Sequence, residues 1–510
     1  MTSSRRDFLR TLAASSAFAV APTFPSSDQS PLASRIAQDP LRPQFHLLPA
    51  RNWMNDPNGP IFCNGNYHMF FQYNPNAAVW GHMHWAHAVS SDMIHWRHLP
   101  VALAPTPGGP DQDGCFSGSA VLHDGVPTFL YTAVKSVSPA EATLRDGKHN
   151  FLETQCLATA SDPDLKTLNK LDAPVLLPPR DSQLTGFRDP CLWREEDNWL
   201  MGIGSGMRGK GGDVLLYRSK NLRSWEYLHP LTFGKSNGKQ TADFVDSAEM
   251  WECPDFFPLG NKFVLLYSTE RKVFWQVGEF DRKELVFHPE KQGLLDSGSY
   301  YAPKSQLDAN GRRILWAWIP ETRPESDFSA AGWAGCMSLP RVLSLGPDSS
   351  LNMAFLPELS ILRGKSYSLP PAVPAADPGG KALEVFTVGH AACVLEFQTK
   401  RTPFAFALNS GPKEVFSVSF DPSNSMSEGK IAGKNVSIPA RSDGEHRFHF
   451  FYDGSVIECI VDNSVAVTER AYTSPKGPMS LRLPIGNHLD PFSRLEFSEV
   501  KPISKDRLTS

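Results

Sequence analysis

No excess of positive charge runs through this chain. Lys and Arg number 50 against 54 Asp and Glu, a formal net charge of -4 with a pI near 6.4. Nucleic-acid footprints and membrane-surface patches need dense Lys and Arg, so neither partner is expected. Beyond the N-terminal segment, no apolar run is long enough to span a bilayer. The eight cysteines, at 63, 115, 156, 191, 253, 336, 393 and 459, form no Cys-x-x-Cys pair. Most lie in strand-like apolar runs and read as buried thiols. The Gly-rich stretch 202–212 lacks Gly-Lys-Ser/Thr, which excludes a phosphate loop. His82, His84 and His87 come closest to a metal-ligand spacing. On a strand, however, His87 would point away from His84. No cofactor and no metal are expected.

What the chain does have is turns. It carries 43 Pro and 37 Gly between short apolar runs, which favours many short strands over long helices. At 510 residues it exceeds one ordinary core, so two domains are expected. Ser4-Arg5-Arg6-Asp7-Phe8-Leu9-Arg10 precedes the small, apolar run 11–21. This is the pattern of a twin-arginine export signal. Residues 1–40 are therefore set outside the fold, as signal plus a Pro/Ser-rich linker. The protein is expected to be periplasmic or secreted, without a membrane anchor after cleavage.

Three short motifs place an acid near a proline at the head of an apolar run: Asn55-Asp56-Pro57, Arg188-Asp189-Pro190 and Glu252-Cys253-Pro254. Each run ends in a turn eight or nine residues later, at Asn64-Gly65, around Asp197 and at Gly260-Asn261. Two more units share the layout without the acid: Phe116-Ser117-Gly118-Ser119 before Asp124-Gly125, and Tyr300-Tyr301-Ala302 before Asn310-Gly311. Second strands follow at 67–73, 128–134, 199–204, 262–268 and 313–318, and third strands at 84–90 and 213–219. A signature closes those third strands. Ser90 to Trp96 and Ser219 to Trp225 match, and 160–168 is a weaker copy.

Five repeats of antiparallel strands at this spacing predict a five-bladed β-propeller over 41–350. Its innermost strands would bring the opening motifs to one mouth of a central channel. A linker follows at 351–365, with a short helical turn near 356–363. Alternating apolar and polar residues then predict a β-sandwich over 366–510, with a supporting or sugar-contacting role.

Paired carboxylates are the minimum for glycoside hydrolysis, provided their surroundings separate their proton affinities. A lone Asp is more often a turn former. Three in matched repeats point to chemistry.

The motif set resembles glycoside hydrolase family 32, the β-fructofuranosidases. It comprises Trp-Met-Asn-Asp-Pro-Asn-Gly at 53–59, Phe-Ser-Gly-Ser at 116–119, Arg-Asp-Pro at 188–190, Trp-Glu-Cys-Pro-Asp at 251–255, Gly-Trp-Ala-Gly at 332–335 and Ser-Leu-Pro-Arg at 338–341. The resemblance implies a retaining hydrolase acting on terminal fructofuranosyl units of sucrose or fructans. It makes Asp56 the nucleophile, Glu252 the acid/base and Asp189 the transition-state stabiliser. It also places Asp56 and Glu252 about 5–6 Å apart. By the same resemblance Asn55, Gln72, Trp80, Phe116, Ser117, Arg188 and Tyr301 line the fructose pocket. Arg188 is expected to keep nearby carboxylates ionised. A fructosyltransferase or a non-catalytic fructan-binding protein are the alternatives. Substrate length and linkage would depend on loops such as 105–114 and 136–150.

Overall fold

The structure is a computed structural model describing residues 31–181, 183–368, 383–388, 392–399, 402–423, 425–474, 477–483 and 492–508. The twin-arginine segment lies outside the described residues. Five sheets built on antiparallel meanders occupy residues 52–355. Their innermost strands are Asn52–Cys63, Gly114–His123, Leu184–Glu195, Glu252–Leu259 and Tyr301–Leu307. Each packs beside the next and the fifth returns to the first, so the five strands ring a central axis. This is a five-bladed propeller.

Every innermost strand is bulged at its opening motif. Three residues advance on it while two advance on its partner, as with Met54 to Pro57 opposite Tyr73 to Phe71, and Glu252 to Asp255 opposite Ser268 to Leu266. The same shift recurs at Cys115 to Gly118, Arg188 to Cys191 and Tyr301 to Lys304. A proline lacks the N–H that a regular ladder needs, so it suits a bulge. In the second blade Gly118 stands where the first has Pro57, and a Cβ there would lie 2.0 Å from the Leu130 carbonyl oxygen, while Ser117 stands where the other three blades have proline. Asp189, Cys253 and Ala302, each directly before the proline, are left-handed, with φ of 63°, 48° and 52°. Only a few per cent of non-glycine residues adopt this conformation, and here it falls at the same position of three bulges.

The three acids are therefore not at matched positions, contrary to the reading of the repeats. Cys253 is the counterpart of Asp189. Glu252 sits one residue earlier, where the third and fifth blades carry Arg188 and Tyr301.

The signature after the third strand is one turn used twice. Ser90 Oγ accepts from the N–H groups of Asp92 and Met93, and Asp92 Oδ1 accepts from those of Ile94 and His95. Ser219 and Asn221 repeat the pattern toward Asn221, Leu222, Arg223 and Ser224. Met93 and Leu222 are left-handed in both copies, and Leu165 is so in the third. The ring closes through Trp333–Ala334, which pairs in parallel with Asn52 and Trp53 of the first blade. Gly335 permits this strap. It has φ 75°, and a Cβ there would stand 2.1 Å from the Met54 carbonyl oxygen.

Two boundaries differ from the sequence expectation. Leu351–Phe355, read as linker, is the outer strand of the fifth blade. Only the 3-10 helix Pro357–Leu362 separates it from Arg363–Ser368, which already pairs into the sandwich. Residues 31–38, set outside the fold, form the helix Pro31–Gln38. Its Leu32 and Ile36, one turn apart, face Gly332, and Ile36 is buried. Asp39 then accepts from the Trp333 indole at 2.8 Å.

The sandwich stacks two six-stranded sheets over a phenylalanine-rich core that includes Phe397, Phe406, Phe416 and Phe450. It is joined to the propeller by a buried ionic network. Arg341 donates to Asp296 at 2.9 Å, Glu458 at 2.7 Å and Thr468 Oγ1 at 2.7 Å, and it lies over the Tyr300 ring. His46 contacts Asp453 at 2.7 Å and Glu458 at 3.0 Å. Burial opposes its protonation, yet the hydrogen bonds it donates to both carboxylates prevail and raise its pKa.

Candidate active site

The five opening motifs meet at one end of the propeller axis. All ten residues singled out in the sequence line a single cavity of about 250 Å³ there. A larger cavity of about 760 Å³ lies in the sandwich, but among the described residues Glu414 is the only acid that lines it. Chemistry rather than size picks out the smaller one.

Asp56 stands on the first bulge. Its Oδ2 accepts from Ser117 Oγ at 2.6 Å, and its Oδ1 from Asn55 Nδ2 at 3.2 Å. Asn55 is itself oriented by the Trp53 indole, which donates to its Oδ1 at 2.8 Å. Asp189 Oδ2 accepts from the Cys253 N–H at 2.9 Å. The Cys253 thiol lies 3.4 Å from Asp189 Oδ2 and 3.5 Å from Asp56 Oδ2, so one cysteine joins the two aspartates. Glu252 is held from both sides. Arg188 donates to Oε1 through Nη2 at 2.9 Å, and Tyr301 donates its hydroxyl to Oε2 at 2.6 Å. These two partners occupy Glu252's own position in neighbouring blades.

Burial is the largest influence on both aspartates. It pushes Asp56 up to about 7, with the charge of Asp189 adding to it and the Ser117 hydrogen bond opposing. It also raises Asp189, even though Arg188 pulls the other way. Arg188 was expected to keep its neighbours ionised. For Asp189 the desolvation is stronger, because the nearest guanidinium nitrogen is 4.0 Å away while Arg188 bonds Glu252 and Glu153 directly.

Gln72 donates to the Cys115 carbonyl at 2.9 Å from the cavity wall. Phe116 meets Trp80 edge-on at 5.9 Å. Trp80 is 38% exposed, so it stands at the rim and not in the core. His82, His84 and His87 do not converge. His84 bonds the His82 carbonyl, while His87 stacks on Phe70 and faces His68.

Several residues escaped the sequence reading. Glu153 is fully buried and holds Arg188 Nη1 at 2.8 Å. Thr132 accepts from the Asp189 N–H at 2.9 Å. Both lie mid-strand with no motif around them. Cys253 was visible inside Glu-Cys-Pro, but nothing local showed that its thiol faces two carboxylates. Of the loops expected at the mouth, 136–150 contributes Leu144, Arg145 and Asp146. Loop 105–114 contributes none of the lining. Its Asp111 pairs with Lys170 instead. Every lining residue comes from the propeller, so among the described residues the sandwich contributes nothing to the cavity wall.

The model of the glycosyl hydrolases family 32 N-terminal domain matches residues 46–354. The chain belongs to glycosyl hydrolase family 32. The match ends one residue before the last propeller strand does. The chain is 34% identical over 469 residues to a sucrose-6-phosphate hydrolase of Zymomonas mobilis, covering 85% of this chain and 86% of that one. It is 39% identical over 349 residues to a raffinose invertase of Escherichia coli, covering 64% and 67%. Among solved structures, a mutant of the Bombyx mori GH32 beta-fructofuranosidase in complex with sucrose aligns with a TM-score of 0.73. It is 27% identical and covers 92% of this chain and 97% of that one. A mutant of fructan 1-exohydrolase IIa of Cichorium intybus, in complex with 1-kestose, shares the fold at a TM-score of 0.77 and 24% identity, covering 91% and 98%.

Proposed function

We propose that this family 32 enzyme is a β-fructofuranosidase that releases terminal fructosyl units from sucrose and related saccharides by a retaining double displacement. One observation carries the mechanism: Asp56 and Asp189, joined by Cys253, share one small cavity with Glu252, which Arg188 and Tyr301 hold.

In the first step Glu252, protonated, gives its proton to the glycosidic oxygen as the bond to the anomeric carbon breaks. Asp56, ionised, forms a bond to that carbon. In the second step Glu252 takes a proton from water, the water oxygen attacks the same carbon, and Asp56 departs. The productive form puts the proton on Glu252 and leaves Asp56 ionised. Burial lifts Asp56 toward 7, which leaves it partly ionised at neutral pH and more nucleophilic than an ordinary carboxylate. Asp189 would accept from the fructosyl hydroxyls, in bonds that strengthen as positive charge builds on the ring. Its exclusion from water makes those bonds stronger.

Fructose release from sucrose, inulin and levan tests the reading. Asp56→Ala and Glu252→Ala should abolish release while leaving the fold intact, and azide should restore turnover to the Glu252 variant. Oligosaccharide products without free fructose would indicate transfer to sugar acceptors, and binding without turnover would refute hydrolysis. The twin-arginine pattern at residues 4–21 supports export of the folded enzyme.

A further inference from the structure

If the fructosyl unit occupies the floor, as the proposed function requires, the leaving group occupies the mouth. Two segments close on that mouth. The hairpin from Leu144–Arg145 to Asn150–Ala160 brings Arg145 and Asp146, and the connection between the third and fourth blades brings Asp243 and Phe244. They abut, since a Cβ on Gly147 would lie 3.0 Å from the Ala242 side chain. Asp146 Oδ1 accepts from the N–H groups of Lys148 at 2.8 Å and His149 at 2.7 Å, and its Oδ2 meets His149 Nδ1 at 2.9 Å. Burial opposes its ionisation, but these bonds outweigh it and hold Asp146 below the usual carboxylate range. The His149 ring in turn packs 5.0 Å from Trp80. The hairpin thus fixes a negative charge beside the aromatic wall of the mouth.

Five carboxyls line this cavity (Asp56, Asp146, Asp189, Asp243 and Glu252) against three guanidinium groups, and with the catalytic proton on Glu252 four carboxylates still outnumber the three. Arg188 is committed to Glu153 and Glu252, and Arg271 to Asp243 and Asp246. Among the described residues only Arg145 is left to meet a ligand. Its Nε has no hydrogen-bond partner among the described residues, and its chain neighbour is Asp146. A single guanidinium backed by a carboxylate can bond sugar hydroxyls. It does not offset a phosphate dianion placed among surplus carboxylates.

We propose that the mouth selects uncharged saccharides and rejects substrates phosphorylated on the leaving group, with Asp146 and Asp243 as the specificity-determining residues. In sucrose 6-phosphate the phosphate sits on the glucosyl unit, which is the half that meets these two aspartates. This preference sets the chain apart from what the name of its Zymomonas relative says of that protein.

The test compares kcat/KM for sucrose and sucrose 6-phosphate at pH 7.5, a condition at which the phosphate is about doubly charged. Sucrose should be favoured by on the order of 100-fold, and added salt should narrow the gap. Asp146→Asn combined with Asp243→Asn should cut the preference by about tenfold. Equal or better turnover of the phosphate ester would overturn the proposal, and so would a preference that the double variant leaves unmoved. Fructose from neither sugar would refute the fructosidase reading itself, a result distinct from both.

Discussion

Asp56→Asn should remove the proposed nucleophile and still stabilise the fold at alkaline pH. The carboxyl is raised from 3.8 to about 7 by burial and by Asp189. A raised carboxyl contributes its stability below the unfolded pKa of about 4, and that contribution is lost as pH climbs through the folded value. At pH 8 the folded state therefore carries a charge it disfavours. A shift of about three units at about 1.36 kcal/mol each gives roughly 4 kcal/mol as the ceiling. Asp56 is partly open to the cavity, so screening by water reduces this to about 1–3 kcal/mol. The asparagine carbonyl can still accept from Ser117, while the weaker Asn55 bond is lost at a cost of about 0.5–1 kcal/mol, so the net falls toward the lower half of that range. At pH 4 the wild-type carboxyl is already protonated in the fold, and the gain should fall below about 1 kcal/mol. Calorimetry at pH 4 and pH 8 reads this, for a chain of 510 residues, as a Tm gain of about 1–2 °C at pH 8 alone. An equal gain at both pH values, or a lower Tm at pH 8, would show that the charge of Asp56 is not what strains the native state.

Other perturbations bear on separate parts of the molecule. Ser117→Ala removes the hydrogen bond that opposes the effect of burial on Asp56. The acid limb of kcat/KM should therefore move to higher pH, and a limb that stays put or moves down would contradict the assignment. Arg341→Met leaves Asp296 and Glu458 buried without their shared cation and should destabilise the protein by about 3–5 kcal/mol. Denaturant unfolding checks it, and a loss under about 1 kcal/mol would show that the network is not what holds the two domains together. Replacing Arg5 and Arg6 by Lys should retain the enzyme in the cytoplasm of a bacterial host. Unchanged export on fractionation would refute the twin-arginine reading.

Much of the propeller was legible because its information is local. A proline or glycine marks each bulge, a Ser-x-Asp or Ser-x-Asn turn closes the third strands, and Asn-Gly or Asp-Gly ends most of the inner strands. These are short-range preferences that the backbone expresses wherever it is placed. The fifth blade's outer strand was missed because the strap 333–337 interrupts the repeat, leaving 351–355 without a matching spacing. The helix at 31–38 was missed because its two apolar anchors make sense only against Gly332, some three hundred residues away. The Ser-Leu-Pro-Arg motif stood out in the sequence without a reason. Arg341 supplies it, by tying Asp296 in the propeller to Glu458 in the sandwich.

The sequence by itself determined the five repeats, the two β domains and the identity of the three acids, since these follow from strand periodicity, turn chemistry and motif order. Tertiary structure alone decided what those acids touch. The bulge put Glu252 in register with Arg188 and Tyr301 and turned Cys253 toward two aspartates. It also brought Asp146 and Asp243, ninety-seven positions apart, to one rim of the cavity. Desolvation and charge depend on which side chains meet across such distances. The electrostatics of the site therefore emerged only when the ring closed.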